Sequence, residues 1–164
     1  MPVVASEGKG KEVVSQSKQR ILTERDLLLT DLPSVTPLSY QDYIKQGGYQ
    51  AFEKAVHELA GVGVQETVAQ SGLRGRGGAG FPTAKKWQFV LSQKSDVRYL
   101  CCNGAEDEPG TFKARYLLRS TPHQLVEGAA LAAFAIGAKE GYLYINGGFK
   151  EEIQFLEKAL HEAR

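Results

Sequence analysis

The sequence predicts an α/β fold, and three observations carry that prediction. Strand, helix, strand and helix patterns follow one another over residues 96–102, 122–136, 140–145 and 149–162. That order implies a right-handed crossover and a parallel strand pair. Ahead of them, five glycines and two arginines crowd into the nine residues 72–80, directly before a further helical pattern. A glycine-rich loop running into a helix start is where α/β folds commonly receive an anion.

Size and charge narrow the class. The 164 residues suffice for one domain with a real core. Twenty basic and 19 acidic residues leave a net charge of +1, which argues against a dedicated nucleic-acid binder. No apolar run approaches the roughly 18 residues of a membrane span. The N-terminus carries no apolar core of a secretory signal. A soluble, intracellular protein is expected. Cys101 and Cys102 are neighbours and poorly placed to form an unstrained disulfide. His57, His123 and His161 are scattered, so no protein metal site is expected.

In chain order, residues 1–20 are polar and lack an apolar period, as in a disordered tail. Residues 21–32 hold leucines without clear partners, and Pro33 and Pro37 follow, so 1–38 is expected to be disordered or linker. One short helical turn fits 39–47. The stripe Ala51, Phe52, Ala55, Val56 and Leu59 predicts a helix over 49–59, with Gly61 and Gly63 as its stop. A second short helix is predicted over 65–71, closed by Gly72. The glycine loop then leads into a helix over 81–91, with Pro82 in its first turn.

The β-rich stretch 96–102 predicts a strand that ends at Asn103-Gly104. An acidic, turn-rich loop follows over 103–111, leaving the carboxyl end of that strand, where open α/β sheets bind ligands. Thr111 is the expected cap of a short helix over 112–119, and Thr121 of the next, with Pro122 at its first position. The helix 122–136 is apolar around most of its circumference and should be buried. A second strand over 140–145 ends at Asn146-Gly147-Gly148. The last helix, 149–162, aligns Phe149, Ile153, Leu156 and Leu160 on one face. Two strands cannot bury a helix layer on each face, so either an N-terminal segment adds strands or a further part of the fold is absent; the expectation is a fold incomplete at its C-terminal end.

The chemistry concentrates in the glycine loop. First-turn N–H groups of a helix and its dipole favour an anion, and Arg74, Arg76, Lys85 and Lys86 add formal charge. Gly75-x-Gly77-x-x-Gly80 has the spacing of the dinucleotide fingerprint, but it follows a helix rather than a strand. No Gly-Lys-Ser/Thr follows, so it is not a Walker loop. By itself the loop also fits a flexible hinge or an RNA-touching arginine–glycine segment.

Longer motifs decide further. Gly-Leu-Arg-Gly-Arg-Gly-Gly-Ala-Gly-Phe-Pro-Thr from Gly72, then Lys86-Trp87, Cys102-Asn103, Glu106-x-Glu108-Pro109-Gly110-Thr111, Pro122-His123 and Val126-Glu127-Gly128 occur in this order. The chain from about Gly47 onward thereby resembles the NADH-oxidising flavoprotein subunit of respiratory complex I. It equally resembles the diaphorase subunits of NAD-reducing hydrogenases and NAD-linked formate dehydrogenases. The resemblance implies a modified Rossmann-like FMN-binding domain, of which residues 39–164 form the N-terminal part. It implies FMN and NAD(H) as cofactors, with hydride passing from NADH to FMN. Gly75, Gly77 and Gly78 would carry the FMN phosphate, with Lys86 near the flavin. Asn103 and Glu106 would contact the flavin and its ribityl chain. Phe81 and Phe89 would flank the bases of NADH, and Glu108 would bond an NADH ribose. No side chain need act as a general acid or base, because the cofactor carries the chemistry.

The resemblance also implies what lies elsewhere. A 4Fe-4S cluster belongs to a C-terminal part that this chain does not contain. The implied partners are a thioredoxin-like 2Fe-2S subunit and other subunits of a multi-subunit oxidoreductase, on the cytoplasmic side, without membrane insertion. Two departures stand out. Ala105 occupies a position where the family has Asp, a loss of about 1–2 kcal/mol if a flavin hydrogen bond is missing. Asn146 and Gly148 are neutral where the family often carries charge. An alternative is therefore a non-catalytic interaction subunit or remnant that keeps the fold and has lost flavin.

Overall fold

The structure, a computed structural model, describes residues 37–164. The expectation of a disordered or linker segment falls almost wholly outside these residues. Among the described residues helix α1 (Tyr40–Lys45) comes first. Ser39 caps it, its hydroxyl accepting from the Asp42 N–H at 3.2 Å.

Helix α2 (Gln50–Lys54) continues into a π turn (Ala55–Leu59), the helical path breaks at Ala60, which takes φ +52° and ψ 177°, and α3 (Ala60–Ser71) follows. The two expected helical segments are present, but the break falls at Ala60 and not at Gly61 and Gly63, and the second segment starts earlier than predicted. Both glycines lie inside α3, and Gly61 is there for packing. A Cβ on it would come 3.3 Å from the carbonyl oxygens of both Phe134 and Ala135. The missing side chain lets two helices approach closely, which local propensity does not reveal. Gly72 ends α3 in the left-handed region at φ +67°, as expected.

Helix α4 (Thr83–Leu91) begins two residues later than predicted. Pro82 is its extended N-cap residue rather than a first-turn residue. Ala84 is buried, and Trp87 packs on the cluster of Ala55, Val64 and Ala135.

Strand β1 (Tyr99–Gly104) runs through Asn103 and Gly104, which the sequence assigned to the loop. Gly104 is buried, and a Cβ there would sit 2.8 Å from the Ile145 Cδ1. Two helices, α5 (Lys113–Ser120) and α6 (Pro122–Ile136), cross over to β2 (Glu140–Ile145). The strands are parallel, pairing Tyr99 with Glu140 through to Gly104 with Ile145. Helix α7 (Lys150–Glu162) completes the described chain.

Neither predicted threonine cap forms. The Thr111 hydroxyl donates to the Glu108 carbonyl at 2.7 Å, closing its own turn. The Thr121 hydroxyl points back to the Leu117 carbonyl at 3.4 Å. Side-chain hydroxyls compete for local carbonyls whenever a turn brings one near.

Two apolar clusters flank α6. On one side Leu118, Val126, Leu156 and Ala159 pack with Leu143, Ile145 and Phe149, joining α5, α6, α7 and β2. Leu118 is fully buried, which is worth about 1.5–3 kcal/mol. On the other side Ala55, Val64 and Ala135 pack with Leu59, Trp87, Leu131 and Phe134. The sheet is covered on one face. On the other, Tyr99, Cys101, Asn103, Tyr142 and Tyr144 are exposed. Cys101 and Cys102 are free thiols on opposite faces, and burial followed by the neighbouring Cys101 raises the Cys102 pKa.

Candidate functional site

The glycine loop is pinched at its base and open at its tip. The Gly75 N–H donates to the Phe81 carbonyl at 2.9 Å, and the Thr83 N–H to the Leu73 carbonyl at 2.9 Å. Arg74 and Pro82 thus face each other as an isolated antiparallel bridge. Across the loop, the Arg74 Nη1 donates to the Gly80 carbonyl at 3.0 Å. Gly78 takes φ +106° and Gly80 φ +59°, conformations that glycine adopts without strain. A Cβ on Gly77, Gly78 or Gly80 would meet nothing within 4 Å, so the tip faces open space.

This geometry divides the three predicted phosphate glycines. Gly75 spends its N–H on the pinch. Gly77 and Gly78 form the exposed turn, where a phosphate group has room to approach the backbone. The loop delivers the chain directly to the N-terminus of α4, which holds Lys85 and Lys86 in its first turn, both exposed. Open glycine amides, a helix N-terminus and two ammonium groups form a donor set that fits a phosphate monoester.

Phe81 and Phe89 sit at either end of the same unit. Their ring centroids are 6.0 Å apart at an interplanar angle of 41°. They are 42% and 54% exposed, so neither belongs to the core that the described residues form. The pair offers an aromatic surface to solvent, the kind on which a base can stack.

The second group of predicted residues lies on the loop after β1. The Asn103 Oδ1 accepts from the Ala105 N–H at 3.0 Å, turning the chain at the strand end. Glu106 holds φ +45°, unusual for a residue with a side chain. Its carboxylate accepts from the Ala114 N–H at 2.6 Å and the Arg115 N–H at 3.0 Å. Glu106 is therefore the true cap of α5, reaching forward from eight residues upstream. Glu108 is exposed at the loop tip, its carbonyl held by Thr111. Asp107 accepts from the Asn146 Nδ2 at 2.7 Å, tying the loops that follow the two strands.

The sequence reading assigned no role to a buried polar network on α6. The Glu127 carboxylate accepts from the Tyr43 hydroxyl, from the Tyr49 N–H at 2.9 Å and from the Phe52 N–H at 3.3 Å. It thereby caps α2 from across the molecule. The His123 Nδ1 meets the Tyr49 hydroxyl at 3.0 Å, and its Nε2 meets Glu162 at 3.2 Å. Tyr43 stacks on the imidazole at 5.7 Å. Burial lowers the His123 pKa against the opposing pull of Glu162. Burial, then Glu127, pushes the Tyr49 pKa up to about 12 and raises that of Tyr43. A signal existed, since His123 and Glu127 stand four apart and so share one helix face.

A third polar group links α5 to α7. Glu152 is 1% exposed and pairs with the Arg115 Nε at 3.1 Å and the Arg119 Nε at 3.4 Å. Burial would raise its pKa, but its own backbone N–H and the two guanidinium groups outweigh that and lower it. Among the described residues, no cluster of His, Cys, Asp and Glu could hold a metal ion. No helix among them is long and apolar enough to cross a membrane.

An exposed, pinched glycine loop feeding a lysine-bearing helix start in an α/β protein is an arrangement that can receive an anion. The chain belongs to the Nuo51 FMN-binding domain family, whose model matches residues 68–164. It is 50% identical over 121 residues to an NADH-quinone oxidoreductase subunit of Rhizobium meliloti, covering 74% of this chain and 29% of that one. It is 47% identical over 126 residues to an NADH-quinone oxidoreductase subunit of Aquifex aeolicus, covering 77% and 29%. Among solved structures, it is similar to a chain of an NAD+-reducing NiFe hydrogenase in the air-oxidized state. The TM-score there is 0.66 at 39% identity, covering 79% of this chain and 23% of that one. The chain thus spans less than a third of the length of these relatives.

Proposed function

We propose that this chain supplies the FMN-phosphate loop and part of the NADH-facing surface of an NADH:acceptor oxidoreductase. The observation that carries this reading is the glycine loop, pinched at Gly75 and Phe81 and open at Gly77 and Gly78, running into α4. Family membership and relatives named as NADH-quinone oxidoreductase subunits support it. Bound FMN supplies the hydride acceptor, and the chain's own residues bind and orient. Gly77 and Gly78 receive the phosphate, with Gly75 fixing the turn beneath them. Lys86 adds positive charge. Phe81 and Phe89 offer the stacking surface for NADH, and Glu108 is free at its loop tip to accept from a ribose diol. Asn103 and Glu106 shape the acidic loop that faces the flavin.

On this reading residues 39–164 are the N-terminal part of a Rossmann-like domain. The remaining flavin contacts and the 4Fe-4S ligands belong to polypeptide beyond it. The exposed sheet face with Tyr99, Tyr142 and Tyr144 agrees with an incomplete fold. The whole enzyme sits on the cytoplasmic side, works with a thioredoxin-like 2Fe-2S protein, and inserts nothing into the membrane.

Flavin fluorescence tests the site. Titrating the purified chain into FMN gives saturable quenching, and riboflavin, lacking the phosphate, binds more weakly. Gly78→Asp puts a carboxylate into the phosphate site and removes the FMN advantage. Equal behaviour of FMN and riboflavin with the unaltered chain refutes the reading and favours a remnant that has lost flavin.

A further inference from the structure

The geometry points to Arg74 as a positioning residue that holds the glycine loop in its phosphate-receiving shape, an inference that rests on the FMN-phosphate reading above. The loop's base is closed by two main-chain hydrogen bonds, Gly75 to Phe81 and Thr83 to Leu73, both at 2.9 Å. These fix residues 73–75 against 81–83 but leave the tip, 76–80, to its own flexibility. Three of those five residues are glycine, the residue with most conformational freedom to lose. The Arg74 side chain is what spans the tip. It springs from the bridge with Pro82 and donates from Nη1 to the Gly80 carbonyl at 3.0 Å. That bond has two consequences. It ties the far limb of the tip to the pinch, and it turns the Gly80 carbonyl toward a cation. A carbonyl dipole directed at the bound phosphate would repel it, so keeping this one engaged favours the anion.

A charge-assisted bond of this kind is stronger than a neutral one, although solvent exposure at Arg74 reduces its value. It orders the loop before the ligand arrives, so less ordering remains to be done on binding. The chemistry recognised is a dianionic phosphate monoester, and the side chain acts through the backbone rather than by touching the flavin.

Two readouts test this on the full chain. The first is amide hydrogen exchange without ligand, at Gly75 and Thr83, whose N–H groups form the pinch. Arg74→Ala should speed exchange there by about fivefold to tenfold, the loss of one hydrogen bond, and leave the interior of α4 unchanged. Arg74→Lys, which can still reach a carbonyl with one donor, should restore part of the protection. The second readout is binding of FMN and of riboflavin by fluorescence. Arg74→Ala should weaken FMN by a similar factor and leave riboflavin unchanged, with Arg74→Lys intermediate. Unchanged exchange in Arg74→Ala overturns the brace. Faster exchange with unaltered FMN binding overturns its positioning role. If the unaltered chain does not distinguish FMN from riboflavin, the phosphate reading itself falls and the positioning role with it.

Discussion

Glu106 does by tertiary reach what Thr111 was expected to do by sequence proximity. It adopts φ +45° so that both carboxylate oxygens can take the first free N–H groups of α5. A helix N-terminus leaves such donors without partners and favours a negative charge beside them. Glu106→Ala should therefore destabilise the chain by about 1–2 kcal/mol, as read by urea unfolding, with Glu106→Gln losing less. An unchanged midpoint would mean that α5 is capped by water instead. The same residue shows where single-sequence reasoning stops. The motif singled out Glu106 as a flavin contact and gave no sign of its capping role, because its partners lie eight and nine residues on, beyond any local capping rule. The turn at Gly77 and Gly78 was legible as a turn because glycine has so few reasons to cluster. The engagement of the Gly75 N–H was not, since it depends on where Phe81 returns.

At the scale of elements, α6 organises the fold. Its apolar residues separate two clusters, and its Glu127 serves as acceptor for Tyr43, Tyr49 and Phe52. Removing that carboxylate leaves the hydroxyl of half-buried Tyr43 and two N–H groups without a partner. Glu127→Ala should cost about 2–4 kcal/mol and loosen α1 and α2 first. Limited proteolysis would then cut near residues 40–54 in the variant and not in the unaltered chain. Uniform loss of protection across the molecule would contradict the assignment. Helix α6 was predicted with its observed limits because a threonine–proline start and a glycine end bracket an apolar run. The place of Gly61 inside α3 was missed, because it meets the Phe134 and Ala135 carbonyls more than seventy residues away. Both strands and their parallel pairing were legible from β-branched and aromatic runs, while the strand's passage through Asn103-Gly104 depends on Ile145 filling the place of a glycine side chain.

For the whole molecule, the buried His123 and Glu152 and the half-buried Tyr43 and Tyr49 define a window of stability. His123 has its pKa lowered from 6.5, so the unfolded chain binds the proton more tightly and stability falls as pH drops below about 6.5. Glu152, lowered from 4.5, adds a further loss as pH falls through its folded value. Tyr43 and Tyr49, raised from 10.0, keep their protons longer when folded, so stability falls again as pH rises past about 10. The melting temperature should thus be flat between about pH 6.5 and 10. His123→Gln should flatten the fall between pH 6.5 and 5 and leave the alkaline fall in place. A profile unchanged by that substitution would assign the acid limb to other groups.

The central claim is that this chain presents a phosphate site at the glycine loop. Phosphorus NMR of FMN observes that contact at the atom concerned. With increasing protein, the FMN phosphate resonance should shift and broaden to saturation, and Gly78→Asp should abolish the change. A resonance that stays at its free position while the flavin ring fluorescence is quenched would place the flavin elsewhere on the molecule and contradict the account.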